Sequence, residues 1–93
     1  MWIFDAHLDL AFNALDWNRN LEWSIAELRA AEAGMTELGR QTATVTLPEM
    51  RTAGVRMCVA TLFTRLEGAV HHDFGRITKE SCYASAMAHH AYY

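Results

Sequence analysis

Several features that define other protein classes are scarce in this chain. Proline occurs once and cysteine twice in 93 residues, and only 20% of the residues are charged. Because 52% of the residues are apolar, the composition is that of a folded protein and excludes a disordered chain. The length suffices for one small domain and not for two, and a self-sufficient core at this size would be marginal.

Basic residues are neither abundant nor clustered. The formal net charge is −3, and the scattered Lys and Arg residues give no electrostatic footprint for nucleic acid. No apolar run approaches the length needed to cross a bilayer. The opening segment, residues 1–5, has no basic residue and reaches an acid at Asp5, which does not fit a signal peptide.

The two cysteines do not suggest a disulfide framework. Cys58 lies in an apolar run and Cys82 in a helix-like stretch. We therefore expect both to be buried, reduced thiols. Reduced thiols favour a cytoplasmic location.

Residues 2–10 alternate with the period of a β-strand. One face would carry only apolar side chains, and these are Trp2, Phe4, Ala6, Leu8 and Leu10. The other face would carry Ile3, Asp5, His7 and Asp9. The sequence thus predicts one face that packs beneath helices and one face that gathers three titratable groups.

Residues 55–63 predict a second strand that is almost continuously apolar, apart from Arg56 and Thr61. Continuous apolarity is typical of a parallel strand covered on both faces. Three helices complete the pattern strand, helix, helix, strand, helix. This order predicts an α/β fold with a parallel sheet and a right-handed crossover.

The starts of the three helices carry capping signals. Ser24 with Glu27 fits a capping box, and Thr46 with Glu49 fits a second one that has proline in its first turn. Thr78 is placed to cap the last helix.

His7 and Asp9 are the first candidates for chemistry. Two residues apart on a strand, their Cα atoms would be roughly 6.5–7 Å apart with side chains on one face. An imidazole and a carboxylate so placed can meet one ion at about 2.0–2.2 Å each. The alternative is a buried histidine hydrogen-bonded to Asp5 or Asp9. The position near the carboxyl end of a first strand favours the metal, because α/β barrels place their active sites there.

Other residues are weaker candidates. The cluster at residues 71–73, two histidines and an aspartate, falls in a predicted loop and fits a solvated surface better than a metal site. His89 and His90 are expected on the surface of the last helix, with at least one exposed. Trp17 and Trp23 flank the loop after the first strand, where an indole either walls a substrate pocket or packs beneath the loop.

Several of these segments together resemble the N-terminal part of the membrane (renal-type) dipeptidase family. The segments are residues 4–11, 13–18, 47–51 and 54–55, and more loosely 91–93. The His-x-Asp pair is moderately specific alone and stronger in the company of the Leu-Pro-Glu-Met-Arg segment. Essentially the whole chain is covered, but it corresponds to only a quarter or a third of the family's length.

The resemblance implies a (β/α)8 TIM barrel of the metal-dependent hydrolase type, with two zinc ions and a metal-bound hydroxide that hydrolyses dipeptides. His7 and Asp9 would then bind one zinc ion, while a bridging glutamate and further histidines would come from later strands. No catalytic residue would lie in this chain. Asp5 would either orient His7 or serve as a structural residue at the barrel floor. The implied partner is a dipeptide or a similar small amide, and a homo-oligomer is possible.

A complete barrel of this kind needs about 250 residues. Residues 1–93 are therefore expected to be a single partial domain, the first two strands and their helices, inactive alone. Two other hypotheses stay open: a related barrel amidohydrolase acting on another amide, and a non-catalytic interaction module that kept the first strand.

Overall fold

The computed structural model of the protein describes residues 1–67 and 75–93. The strands are β1 (Ile3–Leu8) and β2 (Val55–Ala60), and the α-helices are α1 (Ile25–Ala31), α2 (Leu47–Ala53) and α3 (Lys79–Tyr92). A short π-helical turn, Phe12–Asp16, follows β1. The order of strands and α-helices is the predicted one.

The two strands pair in parallel, as their place in the chain predicts. The Ile3 amide donates to the Gly54 carbonyl at 2.7 Å at one end, and the Thr61 amide donates to the Leu8 carbonyl at 3.0 Å at the other. Gly54, which ends α2 and precedes β2, has a φ of +86°. A glycine adopts this left-handed conformation without strain, so the chain can turn from helix into strand within one residue.

The alternation predicted for β1 is wrong, because the ladder between the strands is irregular at two places, between Ile3 and Phe4 and between Asp5 and Leu8. Asp5 pairs with Cys58 and Leu8 pairs with Ala60. Between these two pairs β1 advances three residues while β2 advances two, so β1 has one extra residue. One extra residue in a strand resets which face each side chain takes. As a result Asp5 and Leu8, three residues apart, border the same cleft beside α2.

Within the described chain only one face of this two-stranded sheet is covered, whereas a complete parallel sheet is covered on both faces. Phe4 is 50% exposed, and on β2 Met57 and Val59 are 62% and 50% exposed. The strand ends at Ala60 rather than at Phe63. The described segments that pack on the sheet cover one side of it, and the apolar side chains on the other side meet solvent.

Two of the three predicted helix caps are confirmed, and the third is wrong. Ser24 and Glu27 form the full capping box of α1, and the Thr78 hydroxyl accepts the Ser81 amide at the start of α3. Thr46 does precede α2, but its side chain makes no capping bond. Its hydroxyl is buried without a hydrogen-bond partner among the described residues.

The core lies between β1, α1 and the segments that lead into α2. Its buried residues are Leu10, Leu21, Leu28 and Ala43, with partly buried apolar neighbours that include Leu8, Met50 and Cys58. Cys58 and Cys82 are free thiols, as predicted, but both are half-buried rather than buried. None of the helices in the described chain is long and apolar enough to span a membrane.

Candidate functional site

His7 and Asp9 meet at the carboxyl end of β1. Asp9 is the residue after Leu8, which ends the strand. The Nε2 atom of His7 lies 3.2 Å from Oδ1 of Asp9. His7 lies in the irregular part of the ladder between Asp5 and Leu8. The side chains of His7 and Asp9 nevertheless lie close together.

The geometry of this pair fits two ligands of one metal ion. Two donors bound to a tetrahedral zinc ion at about 2.0–2.2 Å lie about 3.4 Å apart, close to the 3.2 Å observed between His7 and Asp9. The His7 side chain is 72% exposed and the Asp9 side chain 33% exposed. An imidazole nitrogen and a carboxylate oxygen are both donors that zinc accepts, and here both can reach an ion from solvent.

Asp5 contacts the backbone of this pair. Its Oδ1 accepts the His7 amide at 2.9 Å. The His7 ring itself faces Asp9. Asp5 thus restrains the peptide group that carries His7, and among the described residues no hydrogen bond or ion pair joins it to the imidazole.

Thr61 is part of the site and was not predicted as a site residue. Its hydroxyl donates to Oδ1 of Asp9 at 2.5 Å. The Tyr93 hydroxyl donates to the Thr61 carbonyl at 2.8 Å and accepts the Ala11 amide at 3.0 Å. The signal for Thr61 was present in the sequence as one of two polar interruptions of an apolar run, but only strand pairing shows that it faces Asp9.

The site contains two potential metal ligands in the described chain. Within residues 1–67 and 75–93 no group of three or more His, Cys, Asp or Glu residues is arranged to hold a metal ion. The cluster at residues 71–73 lies outside the described residues. His7 and Asp9 are therefore a two-ligand site as they stand, and a closed zinc site needs more donors.

The last helix contributes a buried histidine that was predicted to lie on the surface. His89 is 1% exposed and His90 is exposed. The Nε2 atom of His89 lies 2.6 Å from Oδ2 of Asp16, whose Oδ1 accepts Arg76 Nη2 at 2.8 Å. This pairing joins α3 to the turn after β1. The prediction that at least one of the two histidines is exposed is confirmed, and the surface placement of His89 is wrong.

A second polar network surrounds Trp17. The guanidinium carbons of Arg19 and Arg40 lie 4.6 Å and 4.7 Å from the Trp17 ring centroid, within cation–π range. Both arginines pair with the buried Glu32. Together with Trp23 these side chains line a cleft of about 210 Å³.

The charge on Glu32 is held by the two arginines. Burial raises the pKa of this carboxyl, but hydrogen bonds and charges from Arg40 and Arg19 outweigh burial and leave the pKa below its ordinary value of 4.5. Since the guanidinium groups are already paired with Glu32, the network acts as structural support for the loop around Trp17.

Comparison of the chain with protein-family models, with curated proteins and with solved structures finds no match. The geometry of the residues is therefore the basis for any assignment of function.

Proposed function

We propose that this chain supplies the first-strand part of a zinc-dependent dipeptidase centre. In this proposal β1 and β2 are the first two strands of a (β/α)8 barrel, and His7 and Asp9 hold one of two zinc ions. The observation that carries it is the 3.2 Å approach of His7 Nε2 to Asp9 Oδ1 at the carboxyl end of a parallel strand. Barrel hydrolases place their chemistry at that end of the strands.

The exposed apolar side chains of the sheet support the proposal that the two strands belong to a larger barrel. Trp2 and Phe4 at one strand and Met57 and Val59 at the other are all at least half exposed. The Cα radius of gyration is 14.4 Å, against about 12 Å for a compact domain of this length. Apolar strand faces of this kind are stable when further strands and helices cover them.

Within the centre, each ligand has a distinct part. The His7 imidazole donates a lone pair through Nε2 in its neutral form, and the Asp9 carboxylate supplies a negative charge that offsets the charge of the ion. The backbone bond to Asp5 limits the movement of His7. Zinc, when bound, lowers the pKa of water to give a nucleophile near neutral pH and stabilises the oxyanion that forms on the amide carbonyl. His7 and Asp9 carry no proton in the reaction and serve as ligands.

The proposed substrate is a dipeptide or a similar small amide, and the proposed location is the cytoplasm. The two free thiols agree with a reducing compartment. Preference among small amides would be set by loops at the barrel mouth that later strands carry.

The test uses the longest product expressed from the reading frame, and it measures zinc content and dipeptide hydrolysis. We expect His7→Ala and Asp9→Asn to reduce both. His90→Ala is the matched control, because His90 is an exposed histidine on α3 whose loss should change neither. A wild-type product without zinc, or one whose hydrolysis survives His7→Ala, would overturn the proposal. Zinc-dependent hydrolysis of another amide in place of dipeptides would favour the related amidohydrolase. A product that binds another protein without zinc and hydrolyses no amide would favour the non-catalytic interaction module.

A further inference from the structure

We infer that Thr61 is a positioning residue for the metal site, and that its hydroxyl fixes the orientation of the Asp9 carboxylate. This inference rests on the proposed function, because it assumes that Asp9 is a zinc ligand. It adds a residue on the second strand to a site that the sequence locates on the first.

The Asp9 backbone is held on both sides, so the orientation of its carboxylate depends on side-chain contacts. The Leu8 carbonyl, in the peptide group that joins Leu8 to Asp9, accepts the Thr61 amide at 3.0 Å, and the Asp9 carbonyl accepts the Asn13 amide at 3.0 Å. The Thr61 hydroxyl reaches Oδ1 at 2.5 Å, and His7 Nε2 lies 3.2 Å from the same oxygen. All the hydrogen bonds that the Asp9 carboxylate makes within residues 1–67 and 75–93 fall on Oδ1. The Thr61 hydroxyl therefore holds the same oxygen that, in the proposed centre, would bind the ion together with His7 Nε2.

Thr61 is itself well anchored. Its amide donates to the Leu8 carbonyl at 3.0 Å, which extends the parallel ladder by one bond past Ala60. Its carbonyl accepts the Tyr93 hydroxyl, which in turn accepts the Ala11 amide. The Thr61 backbone is thus tied to the chain on both sides of Asp9. A hydroxyl on a fixed backbone can select one rotamer of the neighbouring carboxylate.

The same geometry makes a clean substitution possible. Thr61→Val keeps the β-branched shape and both backbone bonds and replaces the hydroxyl with a methyl group, which donates no hydrogen bond. Thr61→Ser keeps the hydroxyl and removes the methyl group. The two variants therefore separate hydrogen bonding from packing at one position.

Two NMR measurements on the full chain test the inference. Three-bond couplings about the Asp9 Cα–Cβ bond, recorded without metal, report whether one rotamer dominates. A titration with zinc alone, followed at the His7 ring nitrogens, reports affinity, and the exposed His90 in the same spectra gives the affinity of a lone histidine. The same titration is run on Thr61→Val, Thr61→Ser and Asp9→Asn.

We expect Thr61→Val to average the Asp9 rotamers and to weaken zinc binding at His7 by about 10- to 100-fold, the usual effect of removing a group that orients a ligand. Thr61→Ser should bind zinc like the wild type, and Asp9→Asn should bind it no better than His90 does. If Thr61→Val unfolds the chain, Thr61→Ala removes the same hydroxyl and repeats the test.

The outcomes separate the two proposals. If Thr61→Val retains a single Asp9 rotamer and wild-type affinity while Asp9→Asn loses affinity, the role of Thr61 is overturned and the metal site stands. If wild-type His7 binds zinc no better than His90, or if Asp9→Asn has no effect, both the metal site and the role of Thr61 are overturned.

Discussion

Replacing Glu32 by glutamine should destabilise the fold, because Glu32 is the shared acid of the network around Trp17. Its Oε1 and Oε2 accept Arg19 Nε and Nη2 at 3.2 Å and 3.3 Å, and Oε2 also accepts Arg40 Nη1 at 2.9 Å. The side chains of Arg19, Glu32 and Arg40 are only 7%, 4% and 14% exposed. Glutamine keeps the shape of the acid and leaves both guanidinium groups without their counter-ion.

The expected loss is about 2–3 kcal/mol in the free energy of unfolding. Removing one partner of a fully buried ion pair costs roughly 3–5 kcal/mol. Two features reduce that figure here. Arg19 keeps its bonds to Asn13 and Gly39, and the network borders an open cleft, so that water can screen the uncompensated charge.

The loss should depend on pH in a defined direction. The folded-state pKa of Glu32 lies below its ordinary value of 4.5, so the ionised acid contributes its full stabilisation above pH 4.5. That contribution disappears as pH falls through the lower folded-state pKa. The wild type and Glu32→Gln should therefore differ at neutral pH and converge in acid.

Urea unfolding followed by tryptophan fluorescence measures the effect, since Trp17 stacks on both arginines. Glu37→Gln is the control, because it removes the same charge from an exposed acid that follows α1. The reasoning would be refuted if the two variants unfold with free energies within about 0.5 kcal/mol of each other at pH 7, the range of ordinary surface changes. A difference that persists unchanged in acid would refute the assignment to the Glu32 charge.

Three further substitutions probe packing at His89 and beside Trp17. His89→Ala removes a buried ring and its bond to Asp16, and urea unfolding should show a loss of about 2–4 kcal/mol from the cavity and the broken pair; a change below about 0.5 kcal/mol would contradict this role. Gly39→Ala places a Cβ 2.7 Å from the Trp17 ring at a φ of +92°, whereas Gly34→Ala at +84° meets nothing within 4 Å. Both should lose about 1–2 kcal/mol from the left-handed backbone, and Gly39→Ala more, because of the contact with Trp17. Equal melting temperatures for the two glycine variants would show that the indole moves aside.

The sequence was a good guide wherever a short stretch of residues decides its own conformation. The capping box at Ser24 and Glu27 and the cap at Thr78 depend on groups within three residues of each other, and both are present. Thr46 fits the same pattern but makes no capping bond. There the chain that enters α2 is fixed by a longer-range bond, from the Leu47 amide to the Leu21 carbonyl at 2.8 Å.

Strand faces were harder to predict, because they depend on register as well as on period. The extra residue of β1 between Asp5 and Leu8 arises from pairing with β2, and nothing in residues 3–8 alone requires it. The surface placement predicted for His89 failed for a related reason. Its partner Asp16 lies 73 residues away in the chain, and the helical period by itself does not show which side of α3 the turn after β1 will meet.

The sequence by itself determined the order of strands and helices, the parallel pairing and the two candidate ligands His7 and Asp9. These follow from local periodicity and from the rule that strands joined through helices run in parallel. Only the tertiary structure decided that the two side chains lie 3.2 Å apart, that Thr61 contacts Asp9 and that Tyr93 ties down Thr61. The physical reason is that the two Thr61 contacts join residues 52 and 32 positions apart, and their geometry is set by how the strands and α3 pack.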